Sequence, residues 1–566
     1  MYRAELERAS MTPSIVSRGK SVSSISPIHS CQASLNERPL CYVGDLGNGD
    51  KREFSVDEGS ILLIRHKGKF FALGSKCAHC GDPLVNGLLI HGKIRCAKLG
   101  TAYNIKTGYL DDFPGLDNIQ THTVLVRNDT VFLVTTREKL ISERVVPVMT
   151  KCRNFVNDPV VIIGAGVSAL TCAETLRQEG FRDRIVMITR EGVLPYDRTQ
   201  LSKTVEIDQE RLLLRPREFF ENYDIEIMLN TRVKSLSTEE KVVFLEDGAT
   251  VQYSHIVLAM GSVPSKLNVK GSDLEGIKYL RTMDDAADLY GCMKKRHISI
   301  LGSNLLGLEL AATMGSQSRS VSLFGKSALP LTMLPNQVGQ AVREFAQVES
   351  LFLRQNSLVK AIEGFDKVGH MVLKDGLCAV AHIVVPAIGV RPCTSLLLGS
   401  SISTNSHGFV VVDSQMKTSA RNVLAIGDLT SFPLSAFNGN MVNCGHWYSA
   451  QFQGRKAAMT IVQKEWSTPL VPFFWTSFLN RVLTFAGDLS CSTDERIIRG
   501  SLKDNNFVCY CIKNDEVMAV VNCGTKNVAV QFMEMTQNKI KIKKLDVVKN
   551  ESDNWMTYAP TRSQFE

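Results

Sequence analysis

Long hydrophobic stretches are missing from this chain. No apolar run approaches the roughly 20 residues needed to cross a bilayer. The aromatic patch Val471-Pro472-Phe473-Phe474-Trp475 breaks off too soon. Long basic blocks are missing too: a net charge of +8 is scattered over 566 residues, which argues against a nucleic-acid partner. The fifteen cysteines do not form the dense framework of a small secreted domain. With no secretory leader before them, an intracellular, cytoplasmic and reducing setting is expected. Residues 1–37 are Ser-rich, with Arg3, Arg8, Arg18 and Lys20, which leaves a mitochondrial presequence as the alternative. Glu5 and Glu7 speak against it, because such peptides avoid acids. A disordered tail is the blander reading.

What is present is ordinary globular material, 44% hydrophobic and 22% charged, too long for one core. Residues 38–137 read as short β segments punctuated by Gly, Asp and Asn: Ser60–Ile64, Lys69–Leu73, Thr123–Val126 and Thr130–Val134. A charged linker, 138–157, follows. From 158 the pattern turns to alternating strands and helices.

The sharpest signal is Val160-Val161-Ile162-Ile163-Gly164-Ala165-Gly166-Val167-Ser168-Ala169. Four apolar residues make a buried strand. Gly164 turns the chain, Gly166 lets backbone amides approach a pyrophosphate, and Ala169 lets the next helix pack closely. Far downstream, Val423-Leu424-Ala425-Ile426-Gly427-Asp428 ends a second strand in a carboxylate suited to a ribityl hydroxyl. A further strand-turn-helix, Ile298-Ser299-Ile300-Leu301-Gly302-Ser303-Asn304-Leu305-Leu306-Gly307, lies between the two and suggests an inserted second dinucleotide fold. The stretch Val384–Pro392 is expected to return the chain to the first. The resulting plan is multidomain: a β module, two Rossmann-type α/β units (158–295 with 376–465, and 296–375), and a C-terminal α+β domain over 466–566.

With these residues in hand, 159–558 resembles the pyridine-nucleotide flavoprotein reductases, in the ferredoxin-reductase and apoptosis-inducing-factor group. The resemblance rests on Leu194-Pro195-Tyr196-Asp197-Arg198-Thr199-Gln200-Leu201-Ser202-Lys203, on Leu280-Arg281-Thr282, and on Gly427-Asp428 followed by His446-Trp447. The β module resembles a Rieske domain. The resemblance implies an FAD-dependent NAD(P)H oxidoreductase passing electrons to an unidentified acceptor. It implies FAD contacts from Gly164, Gly166, Arg198, Lys203, Val233, Arg281, Asp428, His446 and Trp447, with Ala165 in the same turn. The acid expected after the second strand is replaced by Arg190, and Glu191 beside it is the candidate. Lys203 and Glu309 are expected to pair beside the flavin, the ammonium stabilising incoming negative charge. The plainer alternative leaves both on helix and solvent faces. No Cys-x-x-x-x-Cys follows the first turn, which argues against disulfide-reductase chemistry. Cys509 and Cys511 share one strand face and read as packing.

Two departures matter. A Rieske [2Fe-2S] cluster needs two Cys on one iron and two His on the other. Cys77, His79 and Cys96 fill three positions, and Leu99 stands at the fourth. Cys80 sits beside His79 and is expected to be poorly placed to replace it. A Rieske-like fold with no stable cluster is favoured over a three-Cys, one-His cluster. In the second turn Asn304 replaces the usual Gly. It is expected to tolerate positive φ but to crowd a pyrophosphate. The acid that reads a ribose diol is absent, and Lys326 either meets a 2′-phosphate or is merely solvated. The rival functional reading is a weakly catalytic flavin-binding redox sensor or cell-death-related interaction protein. The sequence leaves a homodimer open.

Overall fold

The computed structural model describes residues 36–349, 351–437, 439–490, 493–524 and 526–555. Residues 1–35, nearly all of the expected tail, lie outside them, and Asn36 already begins a strand. The N-terminal module holds two antiparallel sheets. The larger runs Asn36–Tyr42, Thr130–Thr135, Thr121–Arg127, Lys69–Gly74, Gly59–His66 and Lys51–Val56. Thr130–Thr135 buries alternate residues, as a half-covered antiparallel strand must. The smaller sheet joins Leu88–Ile90, Lys93–Arg95, Ala102–Asn104 and Leu110–Asp112, and its margins carry the Cys77–Cys80 and Cys96 loops. The linker begins as a helix, Arg137–Ile141, with Thr136 accepting from the Lys139 amide at its N-cap.

The first nucleotide unit is a parallel sheet in the order Ile225–Met228, Ile185–Ile188, Val160–Ile163, His255–Leu258, Val423–Ala425. Every residue of Val160–Ile163 is buried, the requirement for a strand covered on both faces. Helix Val167–Gln178 packs on helix Trp447–Ile461. Gly454 permits the contact, since a Cβ there would stand 2.4 Å from the Ser168 carbonyl oxygen.

The second unit orders Phe352–Arg354, Ser320–Phe324, His297–Leu301 and Ile383–Pro386. Here the structure corrects the sequence reading: Ile383–Pro386 pairs in parallel with His297–Leu301 and belongs to the second sheet. The return to the first unit comes later, through the antiparallel ladder of Val390–Pro392 with Ser262–Pro264. Four buried apolar residues suit either sheet, so their pattern could not decide between them.

The C-terminal domain is a five-stranded antiparallel sheet, Phe473–Phe478, Arg481–Gly487, Glu516–Cys523, Asn506–Lys513 and Glu495–Ser501, backed by helix Val528–Gln537. Cys509 and Cys511 are fully buried in it. A buried ionic knot ties the N-terminal module to this domain. Arg95 pairs with Asp112 at 3.1 Å and with Glu534 at 2.5 Å, and Gln537 donates to Asp112 at 3.0 Å. Gln451 exchanges two hydrogen bonds with the Gly115 backbone. Removing one member of such a desolvated set costs about 3–5 kcal/mol, because the other charges stay buried.

Candidate active site

The carboxyl ends of the first parallel sheet open into a cavity of about 630 Å³. Gly164, Ala165 and Gly166 form one wall, with Ala169 behind them, fully buried between helix and sheet. Gly166 is the N-cap of helix Val167–Gln178 and offers no side-chain cap. A Cβ added there would meet nothing within 4 Å. The N-terminus of this helix therefore borders the cavity with no side-chain acceptor at its cap. Arg190, Glu191 and Val233 line the wall beyond, as do Arg198, Arg281 and Asp428.

Two ion pairs are set into this wall. Arg198 holds Glu191 at 2.5 Å, and the Tyr196 hydroxyl donates to the same carboxylate at 2.8 Å. Burial alone would raise the Glu191 carboxyl, but the Arg198 charge and the two hydrogen bonds outweigh it and hold the group below its ordinary value. Asp428 pairs with Arg281 at 3.2 Å and accepts from Ser262 at 3.1 Å. Ser262 had no motif to announce it.

Lys203 and Glu309 do meet. Lys203 Nζ lies 2.9 Å from Glu309 Oε2. The carboxylate also accepts from Ser202 Oγ at 2.5 Å and from Thr476 Oγ1 at 2.8 Å. Glu309 lies on helix Leu305–Met314 of the second nucleotide unit, so the pair bridges both units at the cavity. Thr476 comes from the C-terminal sheet, and local sequence gave no sign of it. Trp475, its neighbour, also lines the cavity, its ring 4.6 Å from that of His446. His446 and Trp447 line the same end, and His446 Nδ1 and Trp447 Nε1 are buried without hydrogen-bond partners. Burial lowers the His446 imidazole to about 4, so it is neutral near pH 7.

The second turn differs from expectation. Asn304 does not use positive φ; it is extended at −91° and caps helix Leu305–Met314. Its side chain accepts from the Gly307 amide at 3.0 Å and donates to the Ala387 carbonyl at 2.7 Å. Asn304 therefore folds inward and takes up an amide of the turn. Positive φ falls on Gly302, at +116°. Gly307 permits the tight turn, since a Cβ there would stand 1.9 Å from the Gly302 oxygen. Lys326 is exposed just past the second strand and is not part of the main cavity wall.

In the N-terminal module Cys80 joins the other two thiols and leaves the place of Leu99 without a ligand. Cys77, Cys80 and Cys96 bring their sulfurs within 4.8 Å of one another, with Cys80 and Cys96 3.7 Å apart. His79 is not in that group; its ring meets Trp475 with centroids 6.3 Å apart. Leu99 is buried. Hydrogen bonds from Cys80 and then Cys96 hold the Cys77 thiol well below its ordinary range, while Cys80 is pushed up to about 12 by the same contact.

Comparison with known proteins agrees with this architecture. Residues 158–454 match the family model of pyridine nucleotide-disulphide oxidoreductases, and 36–123 match that of the Rieske [2Fe-2S] domain. Apoptosis-inducing factor 3 of Homo sapiens is 36% identical over 518 residues, covering 90% of this chain and 86% of that protein. Rubredoxin-NAD(+) reductase of Pseudomonas putida is 31% identical over 366 residues, 63% of this chain and 90% of that protein. A solved covalent putidaredoxin reductase–putidaredoxin complex superposes with a TM-score of 0.68 at 25% identity, over 72% of this chain and 99% of that one. The chain thus belongs to the pyridine nucleotide-disulphide oxidoreductase family, as an FAD- and NAD(P)H-dependent flavoprotein oxidoreductase with a Rieske-type domain at its N-terminal side.

Proposed function

We propose that the cavity holds FAD and that Lys203 and Glu309 form the hydride-receiving end of the site. The donor chemistry fits the cofactor. The Gly164–Gly166 turn and the helix behind it suit a pyrophosphate, Arg198 an adjacent phosphate or ribose, and Asp428 a ribityl hydroxyl. The unpartnered His446 Nδ1 and Trp447 Nε1 are polar atoms that a bound ring system would satisfy. When bound, FAD accepts a hydride from NAD(P)H and releases electrons singly or in pairs. The protein's contribution is electrostatic. Lys203 is fixed by Glu309 and by the Thr199 carbonyl, so its charge is oriented before reaction. NAD(P)H would use the Gly302–Gly307 turn, with Lys326 either meeting a 2′-phosphate or remaining solvated.

The single observation that carries this reading is the Lys203–Glu309 pair bridging both dinucleotide units at one cavity. The test is anaerobic mixing of the purified holoprotein with NADH or NADPH while following flavin absorbance. Bleaching is expected, and Lys203→Ala should slow it about 100-fold, the scale of losing one preorganised stabilising group. Unchanged rates in that variant would remove the role assigned to the pair.

For the acceptor, the reading is a small electron-carrier protein outside this chain. It is supported by the putidaredoxin bound in the similar complex and by the rubredoxin reductase among the relatives. The lack of a Cys-x-x-x-x-Cys beside the cavity speaks against a dithiol. A redox-sensing role is the second reading, favoured by one observation, the Asn304 side chain occupying the Gly307 amide. Absence of bleaching by either nucleotide would select it. Among the described residues no helix is long and apolar enough to cross a membrane. Among the described residues the thirteen cysteines are free thiols.

A further inference from the structure

The Rieske ligand set fails a direct test of fit. The second iron needs two imidazoles, but Leu99 supplies a hydrocarbon and His79 is turned toward Trp475. What the fold assembles is a different donor set. Among the described residues, Cys77, Cys80 and Cys96 are the group of metal-ligating side chains whose donor atoms all converge on one point.

We infer that Cys77, Cys80 and Cys96 bind a single thiophilic metal ion of the Zn²⁺ class in place of a binuclear iron–sulfur cluster. The spacing carries the argument. Sulfurs sharing one tetrahedral ion at a metal–sulfur distance of about 2.3 Å lie about 3.8 Å apart. Cys80 and Cys96 are 3.7 Å apart, and the third sulfur is within 4.8 Å of both. In a Rieske centre only two thiolates share an iron. Here a third converges on the same point, as mononuclear binding requires.

The sequence supplies the local geometry. Cys77-x-x-Cys80 has the two-residue gap of zinc knuckles. Its turn is closed by Gly81 N donating to the Cys77 carbonyl at 2.8 Å. Gly100 N closes a matching turn on the Cys96 carbonyl at 3.0 Å. Cys77 and Cys96 are buried, and the fully buried Tyr103 hydroxyl lies 3.4 Å from Cys77 Sγ, placed to donate to a thiolate. An all-sulfur donor set without carboxylate selects a soft or borderline d¹⁰ ion over Mg²⁺ or Ca²⁺. The described residues offer no fourth His, Asp or Glu at this point, so one position is left to water or a small thiol. The ion would lock the loop that sets His79 against Trp475.

The test is metal and sulfide analysis of the full-length holoprotein, with Co²⁺ exchange as a spectroscopic probe. About one zinc per chain is expected, with no acid-labile sulfide. Cobalt should give thiolate charge-transfer bands and tetrahedral ligand-field bands. Cys80→Ala should abolish stoichiometric metal while FAD content, the check on folding, stays unchanged. Tyr103→Phe should weaken zinc about 10- to 100-fold in competition with a chromophoric chelator. Iron and sulfide at two each per chain would overturn the inference. So would a Cys80–Cys96 disulfide in metal-free protein purified under reducing conditions, or full zinc retention in Cys80→Ala. If Cys80→Ala loses FAD and misfolds, the cobalt spectrum of the unmodified protein decides alone, and octahedral or absent bands count against the site.

Discussion

The two strand–turn–helix units are built alike and finished differently. Gly166 leaves the first helix N-terminus without a cap, facing open space beside a cavity lined with fixed charges. Asn304 caps the second helix with its own amide and anchors itself to Ala387. An uncapped N-terminus gains from an anion, whereas a capped one has already satisfied a donor. On the proposed reading, the first turn retains a resident cofactor and the second admits an exchangeable one. Weak affinity at the second turn is then a working property of a nicotinamide site and not a sign of decay.

The largest expected effect comes from making the first turn resemble the second. Gly166→Asn places a side chain in the open space and a cap on the helix. FAD affinity should fall about 100-fold in reconstitution titrations. Apoprotein stability should hold or rise by a few tenths of a kcal/mol, since Asn caps slightly better than Gly. Unchanged FAD affinity would mean that the uncapped turn is not where the cofactor's charge sits.

A smaller effect sharpens the second turn. If Lys326 meets a 2′-phosphate, Lys326→Glu should shift the NADPH-to-NADH ratio of kcat/KM about tenfold toward NADH. That corresponds to about 1.4 kcal/mol, a plausible value for one half-solvated charge contact. An unchanged ratio would leave Lys326 solvated and without a role.

The smallest effect concerns pH. Burial lowers both His446, in the cavity, and His122, in the N-terminal module, to about 4. Their unfolded value is near 6.5. Between these values the unfolded chain binds protons that the native state does not, so stability falls as pH drops from about 6.5 to about 4. Above 6.5 neither contributes. His122→Gln should flatten part of that slope in thermal melts, and an unaltered slope would show that His122 does not contribute.

Much of this was legible in the sequence because it is local. The Gly164–Gly166 turn, the Lys203 motif and Gly427–Asp428 each carry their chemistry within a few residues, and the fold brings them to one cavity. Four features were not legible. Thr476 and Trp475 reach the site from a sheet closed by long-range pairing. Ile383–Pro386 is a buried run whose partner strand is chosen by tertiary register. The meeting of Cys80 with Cys96 depends on how the two loops fold together, and the Cys-x-x-Cys spacing was its one local signal. Asn304 was misjudged for a separate reason. A residue that can adopt positive φ need not do so when it can cap a helix instead.

The contrast between the two turns is tested most directly by titrating NADPH and NADH into oxidised holoprotein carrying Asn304→Gly. Removing the side chain frees the Gly307 amide at a cost of only a few tenths of a kcal/mol in cap stability. The account predicts a Kd for nicotinamide dinucleotide about five- to tenfold lower than in the unmodified protein, the net worth of roughly one regained hydrogen bond, with FAD content unaltered. An unchanged or weaker Kd in a variant that retains its flavin would contradict it.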